Sequence, residues 1–428
     1  MRDELKRLAI LAVLVAALWA APLRSHAFFA ALGSSISLLQ EYARLHIVTS
    51  LLPALLLAGA IASLLRGSTI MKRLVTPGFA AYAIASVSGA VLAVCSCTVL
   101  PMFAGIYSAG AGIGPASTFL FAGPAINILA FVMSTRILGP GLGFARVVCA
   151  IVISIAIGLA MNLLFGGSDR SRPERTAAVI PEGGLPARRA LPVMAAVACV
   201  MIFARSGCPC EENLAFVPAF ASWGIVAACA AALSVMLVAW FEVRWWKPLL
   251  AAVPVLALSI LIPSDPKPAF LAGLVGFSVI LARGGGLLRE WFDETLGLAT
   301  KVIPLLLGGV AVTGFLLGTS DAPGLIPYRW LESAVSGDSP LTVLAASVAG
   351  AFMYFATLTE VPIVQGLMRS GMGSASALAI LLSGPSLSLP SILVVRSVMG
   401  TRRTLAFVLL VIIFSAASGL LYGAVFAD

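Results

Sequence analysis

Charge is what this sequence has least of. Only 11% of its 428 residues are charged, against about 25% in an ordinary soluble domain, too few to cover a water-facing surface. A soluble globular fold, a disordered chain and a nucleic-acid binder of the usual kind are excluded on that ground. The net charge of +9 then reads as basic loops left on the cytoplasmic side of a membrane. Histidine is nearly missing as well. His26 and His46 are too few for a histidine-ligated metal centre and read as interfacial residues. The seven cysteines are odd in number, so they cannot all pair internally. Five of them (Cys95, Cys97, Cys149, Cys199, Cys229) lie inside or at the edge of apolar stretches, which argues against a secreted disulfide framework. No GxxxxGK[ST] run occurs, so ATP would have to come from a partner. No cofactor is implied.

What is present is apolar sequence: 60% of the residues are hydrophobic and the mean hydropathy is +1.06. A helical span needs about 20 residues, and about a dozen apolar stretches recur. The expected fold class is all-α, a polytopic helical membrane protein. Arg2, Lys6 and Arg7 precede an apolar run from Leu8 to Ala21. Ser25-His26-Ala27 offers a small-x-small cleavage site, but the many spans that follow favour a retained first helix with its basic end in the cytoplasm. The expected segments are an N-terminal helix and interfacial stretch (1–39), a first repeat (40–165), a polar Arg- and Pro-rich loop (166–189), central transmembrane helices (190–285) and a second repeat (286–428). Positive-inside bookkeeping puts Lys6, Arg7, Arg66, Lys72, Arg73, Arg136 and Arg146 on one side. The Arg-rich loop then falls on the wrong side, so one segment is expected to be re-entrant or miscounted as a span.

A shift of 261 residues superposes one half of the chain on the other. Gly89 falls on Gly350, Gly105 on Gly366, Gly110 on Gly371, Gly112 on Gly373, Gly139 on Gly400 and Gly158 on Gly419. Pro101 falls on Pro362, and Gly123-Pro124 on Gly384-Pro385. The match far exceeds what 40 glycines in 428 residues produce by chance, and its length is that of a duplicated domain rather than a solenoid period. Duplicated halves are a transporter signature. In each half two apolar runs are interrupted near their middle, at Cys95–Thr98 before Pro101, at Gly123-Pro124, at Thr357–Glu360 before Pro362, and at Gly384-Pro385. Proline breaks the helical ladder, and free backbone at membrane depth is tolerated only where protein or a water-filled cavity satisfies it. Four matched breaks therefore point to a substrate site near the midplane; a single kink would mean only tight packing.

The breaks carry chemistry. Cys95 and Cys97 are soft donors that select Cu(I), Zn or trivalent metalloids, although cysteine is also a common small core residue. A second pair, Cys208 and Cys210, lies in a polar loop and is a weaker metal candidate. Glu360 falls on position 99, beside the first copy's cysteines. A carboxylate inside an apolar membrane segment costs about 2.5–3.5 kcal/mol on insertion scales for Asp, so it is expected to carry a proton, or else to cap a half-helix or pair with Arg369. Asn127, Ser386 and Ser388 follow the Gly-Pro breaks, as local caps or as substrate contacts.

The runs from Cys95 to Pro101, through Gly110 and Gly112 to Gly123-Pro124-Ala125-Ile126-Asn127, resemble the predicted-permease family that contains the ArsP-type organoarsenical efflux permeases. Thr359-Glu360-Val361-Pro362 and Gly384-Pro385-Ser386-Leu387-Ser388 resemble its second motif. The resemblance implies a multi-pass permease of the prokaryotic inner membrane, not an enzyme, exporting trivalent arsenicals. The expected partners are a small-molecule or metalloid substrate and the lipid bilayer. Two alternatives stand: a transporter of another thiophilic ion or thiol metabolite, and an intramembrane thiol oxidoreductase passing electrons between Cys95/Cys97 and Cys208/Cys210. If Cys95 and Cys97 hold a soft substrate, Cys95→Ser and Cys97→Ser each abolish metalloid resistance at unchanged expression. Full resistance in the double variant would leave both thiols as packing.

Overall fold

The computed structural model describes residues 26–64, 79–92, 96–169, 187–206, 219–262, 265–318, 324–325, 333–353 and 360–426. Nearly all of this is helix. The first, α1 (His26–Tyr42), passes through a π-helical stretch (Ala43–Leu51) into α2 (Leu52–Leu64). The first half continues with α3 (Phe79–Leu92), α4 (Ser96–Ser108), α5 (Ile113–Ala125), α6 (Ile128–Ile137) and α7 (Pro140–Asp169). The central helices are α8 (Ala187–Ser206), α9 (Ala219–Phe241), α10 (Trp246–Leu261) and α11 (Lys267–Ala282). Then come α12 (Leu287–Leu317), α13 (Pro340–Phe352), α14 (Glu360–Arg369), α15 (Ser374–Ser383), α16 (Leu389–Met399) and α17 (Thr401–Phe426). Among the described residues five helices are long and apolar enough to cross a bilayer alone, or six with the bent pair α5–α6, whose parts differ by 45°. The chain is a polytopic helical membrane protein.

The four interrupted runs are each two helices: α3 and α4, α5 and α6, α13 and α14, α15 and α16. A 13-residue helix such as α4 is only about 20 Å long, short of the ~30 Å hydrocarbon core, so neither partner crosses alone. Pro362 and Pro390 fall in the first turns of α14 and α16, where their missing N–H has no helical acceptor in any case. There proline starts a half-helix. Residues 93–95 and 354–359, within the first and third interruptions, lie outside the described residues.

Helices α3, α5, α6 and α7 begin at 79, 113, 128 and 140, and α13, α15, α16 and α17 begin at 340, 374, 389 and 401, each 261 residues on. Local geometry matches too. Gly110 and Gly371 close α4 and α14 with φ of 103° and 104°, and Ala111 N–H and Met372 N–H reach back five residues to Ile106 O (3.1 Å) and Leu367 O (3.0 Å). Only glycine adopts that left-handed cap without strain. Ser86 and Ser154 bond side chain to side chain at 3.1 Å between α3 and α7. At the corresponding place between α13 and α17, Ser347 donates to Ile412 O at 2.9 Å.

The shared glycines also fix helix spacing. A Cβ on Gly158 of α7 would overlap Thr118 and stand 2.9 Å from Gly114 O of α5. A Cβ on Gly419 of α17 would stand 2.5 Å from Ala375 O of α15, the residue 261 positions after Gly114. Lipid gives helices no hydrophobic reason to associate, so close backbone approach at small residues does much of that work.

Three helices form the centre. All of α5, Pro53–Leu64 of α2 and Ala375–Ser383 of α15 are buried. Helix α2 lies against α12, where Trp291 Nε1 donates to Leu56 O at 2.8 Å. The segment expected to lie in the interface, α1, packs along α12 through Ser35 Oγ to Ala311 O at 2.8 Å and an edge contact of Phe28 with Phe315. At the periphery α10 has no buried residue and packs on α11.

The long helices that end the two halves run in opposite senses. Gly141, near the start of α7, lies beside Tyr422, near the end of α17, so these two helices are antiparallel. Across the seam α4 packs on α16, and reciprocally α14 packs on α6. Arg403 at the start of α17 donates to the Tyr107 hydroxyl at the end of α4.

Gly158→Ala and Gly419→Ala should each lower the thermal midpoint, by the 1–3 kcal/mol typical of overpacking, about that much per site. Gly224→Ala on α9, with open space around its Cβ position, should leave it unchanged or raise it. A thermal scan of the three purified variants decides; equal midpoints would remove the spacing role.

Candidate functional site

Helix α14 opens on Glu360, directly after the third interruption. The helix has ten residues, about 15 Å of rise, and ends at the exposed Arg369. Its first residue therefore sits about half a hydrocarbon thickness from its last. Glu360 is 1% exposed. Its Oε2 lies 3.1 Å from Nη2 of Arg146 on α7, and Arg146 Nη1 donates to Ser134 Oγ on α6, also at 3.1 Å. Arg146 and Ser134 are completely buried. One turn further along α14, Gln365 Nε2 donates to Ile137 O at the end of α6, at 3.4 Å. The second half thus reaches into the first by a charge and by an amide.

Local sequence explains how Arg146 gets there. Gly139, with φ of 99°, turns the chain from α6 into α7, and Gly143 lies against Thr135, where a Cβ would overlap it. The two helices therefore run close enough for Arg146 to reach Ser134. Arg146 is not a loop charge, and counting it in the positive-inside tally was mistaken: it lies inside the 28-residue apolar span 140–167. Pairing of Glu360 with Arg369 is likewise replaced by pairing with Arg146.

A buried ion pair must recover a desolvation penalty of several kcal/mol per ion, and does so only with good geometry and further hydrogen bonds. Here the recovery is incomplete. Arg146 Nε and Glu360 Oε1 are both buried without a hydrogen-bond partner among the described residues. The positions 261 residues away from Glu360, Arg146 and Ser134 are Val99, Phe407 and Val395, all buried and apolar. The charged cluster is built on one side of the seam only.

The other expected site residues fall into three groups. Ser386 Oγ donates to Phe121 O at 3.3 Å, bringing the Gly384-Pro385 turn against α5 two residues before Gly123-Pro124. Ser388 acts locally: it caps α16, accepting from Ser391 N–H at 3.3 Å and sharing a 2.7 Å contact with Ser391 Oγ. Asn127 is buried between α5 and α6, its carbonyl accepting from Phe131 N–H at 2.9 Å. Pro101 and Pro124 lie within α4 and α5, and Gly123 lies where α3 comes closest to α5, beside Gly89. Cys95, Cys208 and Cys210 lie outside the described residues; Cys97 belongs to α4, and its side chain is outside them too. Among the described residues no cluster of three metal-ligating side chains occurs. Sequence reasoning missed Ser134, Arg146 and Gln365. An arginine six residues into an apolar span is a functional signal by default, and it was available for Arg146.

Residues 33–424 match a protein family described as Predicted permease. A UPF0718 protein of Methanocaldococcus jannaschii, MJ0584, is 35% identical over 390 residues, 91% of this chain and 94% of that protein. A UPF0718 protein of Escherichia coli, YraQ, is 36% identical over 112 residues, 26% of this chain and 30% of its own length. No solved structure matches. The chain belongs to the predicted permease family.

Removing one partner of a buried ion pair leaves an uncompensated charge and typically costs 3–5 kcal/mol, whereas an apolar replacement of both is often close to neutral. Arg146→Met should therefore lower the thermal midpoint of the purified protein at neutral pH, by about 3 kcal/mol. Arg146→Met/Glu360→Leu should recover most of that loss. A double variant as unstable as the single one would mean that the pair is not what Arg146 contributes.

Proposed function

We propose that this permease is a secondary transporter, built from two inverted copies of one domain, whose substrate path follows the seam between them. The observation that carries the reading is the reciprocal packing of half-helices across the seam, α4 on α16 and α14 on α6, with a buried ion pair at the inner end of α14. Helices that stop inside a membrane need something there to receive their ends, and a site between inverted repeats is the recurrent solution. Conserved order of helix starts, matched glycine caps and matched close approaches support the duplication.

The substrate proposed is a soft metalloid or a trivalent organoarsenical, exported across the prokaryotic inner membrane and held at the first interruption by Cys95 and Cys97. Family membership and the soft-donor chemistry of two thiols support it. Glu360 is the proposed proton-coupling group, since a buried carboxylate at the seam can load a proton on one side and release it on the other.

The test is uptake into everted membrane vesicles of trivalent arsenicals, antimonite, Zn and Cu, with and without an uncoupler. Wild-type vesicles should accumulate an arsenical or antimonite and lose it when the proton gradient collapses. Glu360→Gln, at matched protein level, should lose uphill accumulation while keeping counterflow, because exchange down a substrate gradient needs no proton. Unimpaired accumulation by Glu360→Gln would remove it as the coupling residue, and no accumulation of any tested species would remove the substrate class.

A further inference from the structure

The ion pair has an unclosed second contact. Arginine recognises carboxylates and oxyanions through two parallel N–H donors. Glu360 uses only one, Nη2, while the neighbouring Nε is buried and unpartnered, as is the other carboxylate oxygen. Glu360 is tied to the first turn of α14 and meets the guanidinium with a single oxygen. An untethered anion of the same kind can lie flat along the Nε–Nη2 edge. Ser134, bonded to Nη1 on the opposite side, holds the guanidinium so that this edge is presented, and the N-terminal end of α14 beside it favours negative charge.

We propose that Arg146, oriented by Ser134, and the inner end of α14 form a binding site for a small carboxylate or oxyanion, filled in this conformation by the chain's own Glu360. Arg146 stays protonated in any protein setting, and it is wholly buried. Whenever Glu360 becomes neutral, the guanidinium is left as an unpaired interior charge, a state that is strongly unfavourable. A mobile anion relieves it. Proton and anion therefore bind together at this seam, each raising the affinity for the other by the same factor.

Among the described residues no titratable group other than Arg146 faces Glu360 from the helices around it. Of the helices packed on α14, α15 carries no ionisable residue, and α6 carries only Arg136, exposed in its last turn. On α14 itself Arg369 is exposed at the far end. On α7, Arg146 is the group facing Glu360, and Cys149 is half-buried a turn away. The inference rests on the proposed role of Glu360 as a proton carrier, but its test reads binding in micelles, with no substrate and no gradient. A failed transport reading and a failed anion site are thus told apart.

The experiment is thermal unfolding of the full-length protein in detergent, with formate titrated against the bulky gluconate at constant ionic strength. Wild type should ignore formate at neutral pH and gain stability from it at acid pH. Glu360→Gln should gain at both, by about 1–2 °C for each tenfold step in formate beyond half-saturation. Arg146→Met/Glu360→Gln should gain at neither. A Glu360→Gln protein insensitive to formate, or a double variant stabilised as much as the single one, overturns the site. Should Glu360→Gln fail to fold, wild type is compared with Arg146→Met/Glu360→Leu at acid pH. A formate response confined to wild type then sustains the site, and equal responses, or none in wild type, remove it.

Discussion

The tie between Arg146 and Glu360 is the contact on which the arrangement turns, because it is where a charge of one half is held by the other. Each group alone is a poor membrane residue, and each makes the other tolerable. The tie reaches from a full-length span, α7, to the inner end of a half-helix, α14, and so fixes the depth at which α14 begins. The bond from Gln365 to Ile137 O then sets its course along α6. Two polar contacts about one and a half turns apart on α14 are enough to define the position and direction of a ten-residue helix of fewer than three turns.

What lets those groups meet is the placement of glycine. Arg146 reaches Ser134 only because Gly139 turns the chain and Gly143 admits Thr135. Elsewhere Gly158 and Gly419 let α7 and α17 run against α5 and α15, which encases α5 and α15 entirely. A bilayer offers no hydrophobic drive between helices, so contact area and close backbone approach decide packing. Gly158 and Gly419, 261 positions apart, make the same kind of close approach in each half.

This part of the architecture was legible in the sequence. Seven glycine coincidences and two Gly-Pro pairs are visible without coordinates, and they mark helix caps, close approaches and interruptions. Glu360 was legible too, since a carboxylate in an apolar run stands out. Its partner was not identified, because an ion pair between residues 146 and 360 leaves no spacing signal, and because Arg146 was counted with the loop charges although the apolar run continues on both sides of it. Pairing with Arg369 was the local guess; helical geometry carries Arg369 to the other end of α14. Ser388 and Ser386 show the same limit. They are two residues apart with similar chemistry, yet one caps its own helix and the other bonds across to α5. Only the packing of the halves decides which.

The difference between the halves at the seam has an energetic consequence. Two identical inverted copies exchanging conformations would have inward- and outward-facing end states of equal free energy, since each state is the other turned over. Here one copy places Glu360 where the other has Val99, and the partners differ accordingly, Arg146 and Ser134 against Phe407 and Val395. Closing the charged contact brings two ions together in a dry interior, and opening it hydrates them. Closing the apolar one removes hydrocarbon from water. On the proposed reading these costs differ in size and in their response to protons, so the two end states would be unequal, and a proton on Glu360 would change the balance between them. If two inverted copies share one motion, as proposed, the residues that differ between them are the ones that give it a direction.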